Sequence, residues 1–274
     1  VALVKFFMWL EKAVPAGEVE EITVEEKLYE YRSQQDLFVG ESFATIAGYT
    51  GNGAVVHYHA TPQTSQQVHP EGLLLIDSGA QFKDGTTDIT RTVAVGKLSR
   101  QMKKDYTLVL KGHIALATAI YPEGTRGSQL DILARKFLWN NELNYGHGTG
   151  HGIGHFLNVH EGPQNFRTEE NPTQLRPGMV TSDEPGIYRA GQYGIRIENL
   201  IVTQEYKKTK EFGTFYNFET ITLCPIDTKP IEKKLLTKDE IKWLNNYHKM
   251  VFKKLKKYLT EEEKAWLKRK TKAI

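Results

Sequence analysis

Four carboxylate residues stand at the ends of apolar runs or inside them, where charged side chains are rare. Asp77 follows Leu-Leu-Leu-Ile, and Asp88 opens Asp-Ile-Thr-Arg-Thr-Val. Glu184 follows Met-Val-Thr-Ser-Asp, and Glu198 interrupts Ile-Arg-Ile-Glu-Asn-Leu-Ile-Val. Burying a carboxylate without a partner is costly. The pattern therefore predicts that these side chains share a positively charged partner.

The spacing of the four acids predicts two β-hairpins. Glu184 and Glu198 are symmetric about Gly191, which lies in the loop sequence Ala-Gly-Gln. Asp77 and Asp88 are centred beside an Asp-Gly turn signal, a spacing that requires an irregular hairpin or a bulge. Each hairpin would present two carboxylates side by side.

Gathering four carboxylates would raise their pKa values by mutual repulsion. Two divalent cations would balance this charge, and oxygen ligands with one imidazole suit Mn²⁺, Co²⁺ or Zn²⁺ better than a thiolate-binding metal. The imidazole is expected from the segment Gly-His-Gly-Thr-Gly-His-Gly-Ile-Gly-His, whose alternating glycines allow close approach. The residues alone leave His147, His151 and His155 open as the ligand.

Simpler interpretations exist for each part of this pattern. A single acid in such a position is usually a strand-end or turn residue, and only the four together favour a metal. The Gly-rich loop matches neither the dinucleotide fingerprint nor the P-loop. His151 and His155 have the spacing of a zincin helix, but Gly152 replaces the required Glu.

Apolar periodicity predicts helices and strands in clusters, which favours an α+β fold over a regular βαβ alternation. The predicted helices cover 1–14, a segment capped by Thr23 with Glu26, 99–119, 128–143, 237–259 capped by Thr237 with Glu240, and a short segment capped by Thr260 with Glu263. The predicted strands cover 53–57, 73–76, 88–95, 179–184, 195–203 and 220–223.

Composition excludes several classes of protein. The chain has 274 residues, of which 39% are hydrophobic and 25% charged, as in folded globular proteins. The single cysteine, Cys224, excludes an internal disulfide and a cysteine-based zinc cluster. The apolar start is too short to span a membrane and lacks a cleavage site, so a cytoplasmic location is expected. Residues 207–274 carry 18 Lys/Arg against 9 Asp/Glu, which we interpret as solvated helix faces.

Around these acids the chain resembles the pita-bread metallopeptidases, the superfamily of methionine aminopeptidase, prolidase and aminopeptidase P. It is most similar to the catalytic domain of the cytosolic, long-form Xaa-Pro aminopeptidases. The matching stretches are Asp77-Ser-Gly-Ala-Gln-Phe-Lys-Asp-Gly-Thr-Thr-Asp88-Ile-Thr-Arg-Thr, His147-Gly-Thr-Gly-His151-Gly, Phe156-Leu-Asn-Val-His160-Glu-Gly-Pro, Asp183-Glu184-Pro-Gly and Gly194-Ile-Arg-Ile-Glu198-Asn.

The resemblance implies an α+β pita-bread fold with a C-terminal helical extension. It implies a catalytic domain over residues 1–206, with the extension over residues 207–274 packed on it as a candidate dimer contact. The N-terminal domains of the long-form relatives are expected to be absent from this chain.

The resemblance also implies a ligand set. Asp77 would chelate one metal and His151 with Glu184 the other, while Asp88 and Glu198 would bridge the two. The metals are expected to be Mn²⁺, with Co²⁺ or Zn²⁺ as alternatives. A hydroxide between them would attack the peptide bond, and Glu184 would carry its proton to the leaving nitrogen.

Further roles follow from the same resemblance. His57, His147 and His160 would line the substrate site and assist catalysis, and Arg196 would orient a bridging carboxylate or the substrate. His155 is expected to be an incidental loop residue. The implied enzyme is a homodimer that cleaves peptides with proline in second position and binds neither nucleic acid nor membrane. The alternatives are a prolidase cleaving Xaa-Pro dipeptides and a non-catalytic pita-bread binding module.

Overall fold

The computed structural model describes residues 1–274, which form six α-helices and fourteen β-strands. The helices are α1 (Ala2–Ala16), α2 (Glu21–Ser33), α3 (Arg100–Ala117), α4 (Gly127–Trp139), α5 (Lys238–Leu255) and α6 (Glu261–Lys270). The strands are β1 (Phe38–Glu41), β2 (Ile46–Tyr49), β3 (Leu73–Ser78), β4 (Ala80–Phe82), β5 (Gly85–Thr86), β6 (Ile89–Ala94), β7 (Tyr121–Pro122), β8 (Gly150–His151), β9 (Asn165–Phe166), β10 (Val180–Asp183), β11 (Gly186–Arg189), β12 (Tyr193–Arg196), β13 (Asn199–Thr209) and β14 (Gly213–Thr220).

The strands form five small antiparallel sheets, which confirms the α+β prediction. Their strand orders are β1-β4-β5, β2-β3-β6, β8-β9, β11-β12 and β10-β13-β14-β7. No helix of the structure combines the length and the apolar character that a bilayer-spanning segment needs.

Strands β10 to β13 form a long two-stranded ribbon that carries Glu184 and Glu198. This ribbon has the predicted register. β11 pairs with β12 and β10 pairs with β13, and in both pairs the partner residues are symmetric about Gly191. The two glutamates fall opposite each other in the gap between these two pairs. The turn at Gly191 has φ 69°, a left-handed conformation that favours glycine.

The first hairpin is irregular, as expected, but Asp88 does not lie opposite Asp77. β3 pairs with β6 so that Asp77 faces Thr90. The predicted symmetry is wrong because β4 and β5 form a small hairpin of their own between β3 and β6, with Phe82 paired to Gly85. Asp88 therefore precedes β6 by one residue.

The strand predicted at 53–57 is wrong. Thr50–Ala54 form a 3-10 turn, and the strand of this region is β2. The chain folds back directly after β2 because glycine backbones pack against each other, and a Cβ on Gly48 would lie 2.6 Å from the Cα of Gly53.

The capping box predicted at Thr23 is also wrong, since α2 begins at Glu21. The Glu21 carboxylate is buried and accepts hydrogen bonds from the backbone N–H groups of Tyr49 (2.7 Å) and Gln66 (2.9 Å). Tertiary contacts also replace the local cap, because Glu21 N–H donates to the backbone oxygen of Gln66 at 3.1 Å and Ile22 N–H donates to Ser65 Oγ at 3.3 Å. The capping boxes predicted at Thr237 and Thr260 are confirmed.

Several predicted boundaries shift: α5 ends at Leu255, and the strand predicted over 195–203 is divided into β12 and β13. α1 continues through Pro15 and ends before Gly17, whose φ is 75°. α4 ends at Trp139 and not at residue 143. The strand expected at 220–223 lies earlier in the chain, because β14 pairs with β13 across a tight turn that ends at Gly213.

Two hydrophobic clusters back the strands that carry the acids. α1 and α2 pack on one face of β3 through Leu74 and Ile76. Because successive strand residues alternate between faces, Asp77 points to the opposite face. The larger cluster joins α3, α5 and α6 to the β11–β12 hairpin and includes the fully buried Ile195 and Leu244.

A buried hydrogen-bond chain ties α3 to the ribbon beside the two glutamates. His113 Nδ1 lies 3.1 Å from the backbone oxygen of Asp183 and 3.1 Å from its Oδ2, although only the backbone oxygen has hydrogen-bond geometry. The Asn199 amide accepts from Arg91 at 2.7 Å, so its Nδ2 donates to His113 Nε2 at 3.1 Å. His113 therefore carries a hydrogen on Nδ1 and accepts through Nε2.

His113→Ala is expected to lower the free energy of unfolding by about 3 kcal/mol, because it leaves a cavity and buried polar groups without their partner. Urea denaturation followed by circular dichroism measures the change. His69→Ala, at an exposed histidine, is the control and should change stability by no more than about 0.5 kcal/mol. An equal loss of unfolding free energy in both variants would contradict a stabilising role for the buried hydrogen bonds of His113.

Gly194→Ala is expected to destabilise the fold by about 3 kcal/mol, because of overpacking against a neighbouring backbone. A Cβ at this position would lie 1.7 Å from the backbone oxygen of Gly53, so β12 would separate from the 3-10 turn. Thermal unfolding provides the measurement. Gly85→Ala is the matched control, since its Cβ would meet nothing within 4 Å. A melting temperature unchanged in both variants would contradict the close contact between the backbones of Gly194 and Gly53.

Candidate active site

The structure brings the five predicted ligand residues to one cavity. His151 Nε2 lies 3.3 Å from Asp88 Oδ2 and 3.4 Å from Glu184 Oε1. Ligand atoms of Asp88, His151 and Glu198 all lie within 4.8 Å of one another. Asp77 lines the same cavity from β3, and the cavity volume is about 450 Å³.

Hydrogen bonds orient three of the four carboxylates. The donors are Thr90 Oγ1 to Glu198 Oε2 at 2.8 Å, Ser182 Oγ to Glu184 Oε1 at 3.0 Å and Arg196 Nη2 to Asp77 Oδ2 at 2.6 Å. Each donor leaves the second oxygen of its carboxylate for another partner. Asp77 Oδ1 is buried without any hydrogen-bond partner, which is rare for a carboxylate oxygen.

His151 is oriented to bind a metal through Nε2. Its Nδ1 lies 2.9 Å from the backbone oxygen of Gly152, which can only accept, so Nδ1 carries the hydrogen. A ring nitrogen bonded to a carbonyl is typical of metal-binding histidines. Of the other two histidines left open by the sequence, His155 is exposed and does not line the cavity, and His147 bonds elsewhere.

Burial raises the pKa values of Asp88, Glu184 and Glu198, and the charges of neighbouring carboxylates add to this effect. The pKa of Glu184 rises to about 7 although the His151 charge opposes the shift. Burial lowers the pKa of His151, but the hydrogen bond to Asp88 and the charges of Glu184 and Asp88 outweigh burial and raise it to about 9.

This donor set fits divalent metal ions. The crowded carboxylates carry excess negative charge, one buried oxygen of Asp77 lacks a partner, and a single imidazole nitrogen faces Asp88 and Glu184. Oxygen ligands with one imidazole suit Mn²⁺, Co²⁺ and Zn²⁺.

A hydrogen-bond chain connects His147 to Asp77 through two residues. Arg196 Nη1 donates to the Tyr188 hydroxyl at 2.7 Å, and this hydroxyl donates to His147 Nε2 at 2.8 Å, because His147 Nδ1–H already bonds Gly148 at 2.7 Å. Burial, together with the Arg196 charge, lowers the pKa of His147 to about 3. His147 is therefore neutral.

Arg196 lies between the carboxylates. It contacts Asp77 directly but reaches Glu198 only through Thr90, whose hydroxyl is 3.1 Å from Arg196 Nε. The two remaining predicted histidines line the cavity: His160 packs edge-to-face on His151 with ring centroids 4.2 Å apart, and His57 is exposed.

Several supporting residues escaped the sequence analysis. A buried ion pair on α4 holds the loop between the histidines: Arg135 bonds Asp131 at 2.6 Å and the backbone oxygen of His147 at 2.8 Å, while Thr149 donates to Asp131. The i,i+4 spacing of Asp131 and Arg135 was the available signal. Tyr188 and the hydroxyls of Thr90 and Ser182 carry no charge pattern that a sequence reading could detect.

Comparison with protein families gives two matches. The model of metallopeptidase family M24 matches residues 1–205, and the model of the C-terminal region of peptidase M24 matches residues 214–274.

Curated relatives include proteins named probable Xaa-Pro aminopeptidase P. The protein from Coprinopsis cinerea is 49% identical over the whole of this chain, and that from Paracoccidioides brasiliensis (strain Pb03) is 48% identical. The chain spans 45% and 46% of their lengths, respectively.

Solved structures agree with these matches. An X-prolyl aminopeptidase from Caenorhabditis elegans, described as a cytosolic enzyme with a di-nuclear active site, is 41% identical with a TM-score of 0.94, covering 100% of this chain and 45% of that one. An X-Pro aminopeptidase from Thermotoga maritima is 31% identical and a Xaa-Pro dipeptidase from Bacillus anthracis 30% identical, both with a TM-score of 0.67. Each of these two matches covers 82% of this chain. The matched regions are 58% of the Thermotoga maritima chain and 59% of the Bacillus anthracis chain.

These matches confirm both the predicted pita-bread fold and the resemblance on which the ligand set was based. Since the family models account for nearly the whole sequence, the chain belongs to metallopeptidase family M24.

Proposed function

We propose that this chain is the catalytic part of an aminopeptidase that removes the N-terminal residue from peptides with proline in second position. The observation that carries the proposal is the convergence of four carboxylates and His151 in a cavity of about 450 Å³. The names of the relatives support the substrate class. The retention of all five candidate ligands disfavours a non-catalytic binding module.

The five residues would share two divalent ions. Asp77 would hold one ion and His151 with Glu184 the other, with Asp88 and Glu198 bridging both. When bound, such ions activate water as a nucleophile and stabilise negative charge on the attacked carbonyl. We propose Mn²⁺ because oxygen ligands predominate, and Co²⁺ and Zn²⁺ suit the same donors.

The remaining groups would position the substrate and move protons. Glu184, held by Ser182, is suited to accept the proton of the attacking water and deliver it to the prolyl nitrogen, which must be protonated to leave. His147, neutral and bonded to Tyr188, is suited to hydrogen bonding with the peptide. His57 and His160 line the same cavity and would contact the substrate.

The resemblance also supports a catalytic domain over residues 1–206 and a C-terminal extension over residues 207–274. It further supports a cytoplasmic homodimer whose two copies contact each other through this extension. Light scattering of the purified chain would test the dimer.

With Mn²⁺, the purified chain is expected to release arginine from Arg-Pro-Pro but not from Arg-Ala-Pro, as followed by chromatography of the products. Glu184→Gln should lower kcat by about 10³-fold, because a proton carrier is lost. His155→Ala is the matched control and should retain activity. A folded, metal-loaded chain that releases no arginine would contradict the proposal, and preference for the dipeptide Arg-Pro would favour the prolidase alternative.

Removal of divalent ions with EDTA is expected to lower the melting temperature, since the crowded carboxylates then lose the charges that balance them. At a metal concentration of 100 times Kd the stabilisation should be about 2.7 kcal/mol. Scanning calorimetry with and without chelator measures this difference. His151→Ala should reduce the response to metal, whereas identical melting curves with and without chelator would argue that the cluster binds no metal.

A further inference from the structure

The cavity extends beyond the five ligand residues along β9. Asn165 on β9 lies directly opposite His151 on β8. Opposed residues of antiparallel strands point to the same face, and so does the residue two positions further on. Arg167 follows the last residue of β9, and continuing the alternation by one residue directs it to the side of His151, which faces the carboxylates. Arg167 lines the cavity.

Arg167 is the one cation of the cavity wall that the carboxylate cluster does not engage. The wall contains two arginines, and the other, Arg196, is 2% exposed and bonded to Asp77 and Tyr188. The side chain of Arg167 is 50% exposed, and its acidic neighbour, Glu169, lies 3.7 Å away and is itself 72% exposed. Such a surface contact holds the guanidinium weakly.

The distance from His151 to Arg167 matches the length of a short peptide. Opposed Cα atoms of antiparallel strands lie about 5 Å apart, and two extended residues span about 7 Å. The proline and the residue after it, in extended conformation, also cover about 7 Å beyond the cleaved bond. A carboxylate on the residue after proline therefore falls within reach of the guanidinium.

Bound divalent ions would balance the charges of Asp77, Asp88, Glu184 and Glu198. The guanidinium of Arg167 would then favour a negative group on the part of the peptide beyond the cleaved bond. A planar guanidinium can bind a carboxylate through two parallel hydrogen bonds.

We propose that Arg167 forms a subsite for a carboxylate carried by the residue that follows the proline. The carboxylate is either the chain terminus of a tripeptide or an acidic side chain at that position. This subsite rests on the proposed function, because it assumes that the peptide lies with its first bond at the carboxylate cluster.

Steady-state kinetics on three substrates test the subsite and separate the two sources of carboxylate. The substrates are Arg-Pro-Ala, Arg-Pro-Ala-amide and Arg-Pro-Asp-amide. In Arg167→Gln, KM for Arg-Pro-Ala should rise about tenfold with kcat unchanged, because charged hydrogen bonds to the substrate are lost. KM for Arg-Pro-Ala-amide should stay the same, and Arg167→Lys should recover part of the loss. Arg100→Gln, on the exposed start of α3, is the matched control.

A tenfold rise for Arg-Pro-Asp-amide as well would assign the subsite to acidic side chains in addition to the chain terminus. An equal rise for the acid and the neutral amide of Arg-Pro-Ala, or no rise for either carboxylate substrate, would overturn the proposal.

Equilibrium binding distinguishes failure of the subsite from failure of the proposed function. Calorimetric titration of the metal-loaded chain with Pro-Ala and Pro-Ala-amide should show about tenfold tighter binding of the free acid, and Arg167→Gln should abolish the difference. If this difference is present without any hydrolysis, the subsite stands and the proposed activity fails. Hydrolysis with equal binding of both dipeptides, or with no binding of Pro-Ala, overturns the subsite alone.

Discussion

Repulsion among four carboxylates in a buried gap is the constraint on which this site depends. Burial raises the pKa values of Asp88, Glu184 and Glu198, and the charge of Asp77 adds to each of these shifts, while His151 alone among the ligands offers a positive charge. Such a cluster is costly for a fold unless cations bind to it. Membership of a metallopeptidase family independently indicates that metal ions bind to this cluster.

Paired strands and two helices, α3 and α4, hold the ligand residues in place. The ligands lie on or beside paired strands, and a helix braces the backbone next to them on two sides. α3 does so through His113, which bonds the neighbours of both glutamates, and α4 does so through Asp131 and Arg135, which hold the histidine loop. Rigid elements with buried polar partners hold ligand geometry better than free loops do.

The sequence predicted the ribbon around Gly191 because a strand repeats every two residues, so one turn fixes every partner on both sides. The same reasoning misplaced Asp88, since the extra hairpin β4–β5 leaves no mark on that period. His113 and Tyr188 were missed because their partners are distant in sequence and set by tertiary packing. The turn at Thr50–Ala54 depends on contact between two glycine backbones that no local propensity encodes.

Anomalous scattering from crystals grown with Mn²⁺ would show whether metal ions bind between the carboxylates. We expect two peaks in the gap of the ribbon, with oxygens of Asp88 and Glu198 shared between them, Asp77 on one ion, and His151 with Glu184 on the other. An empty gap in such crystals, with the carboxylates turned away from one another, would contradict this expectation.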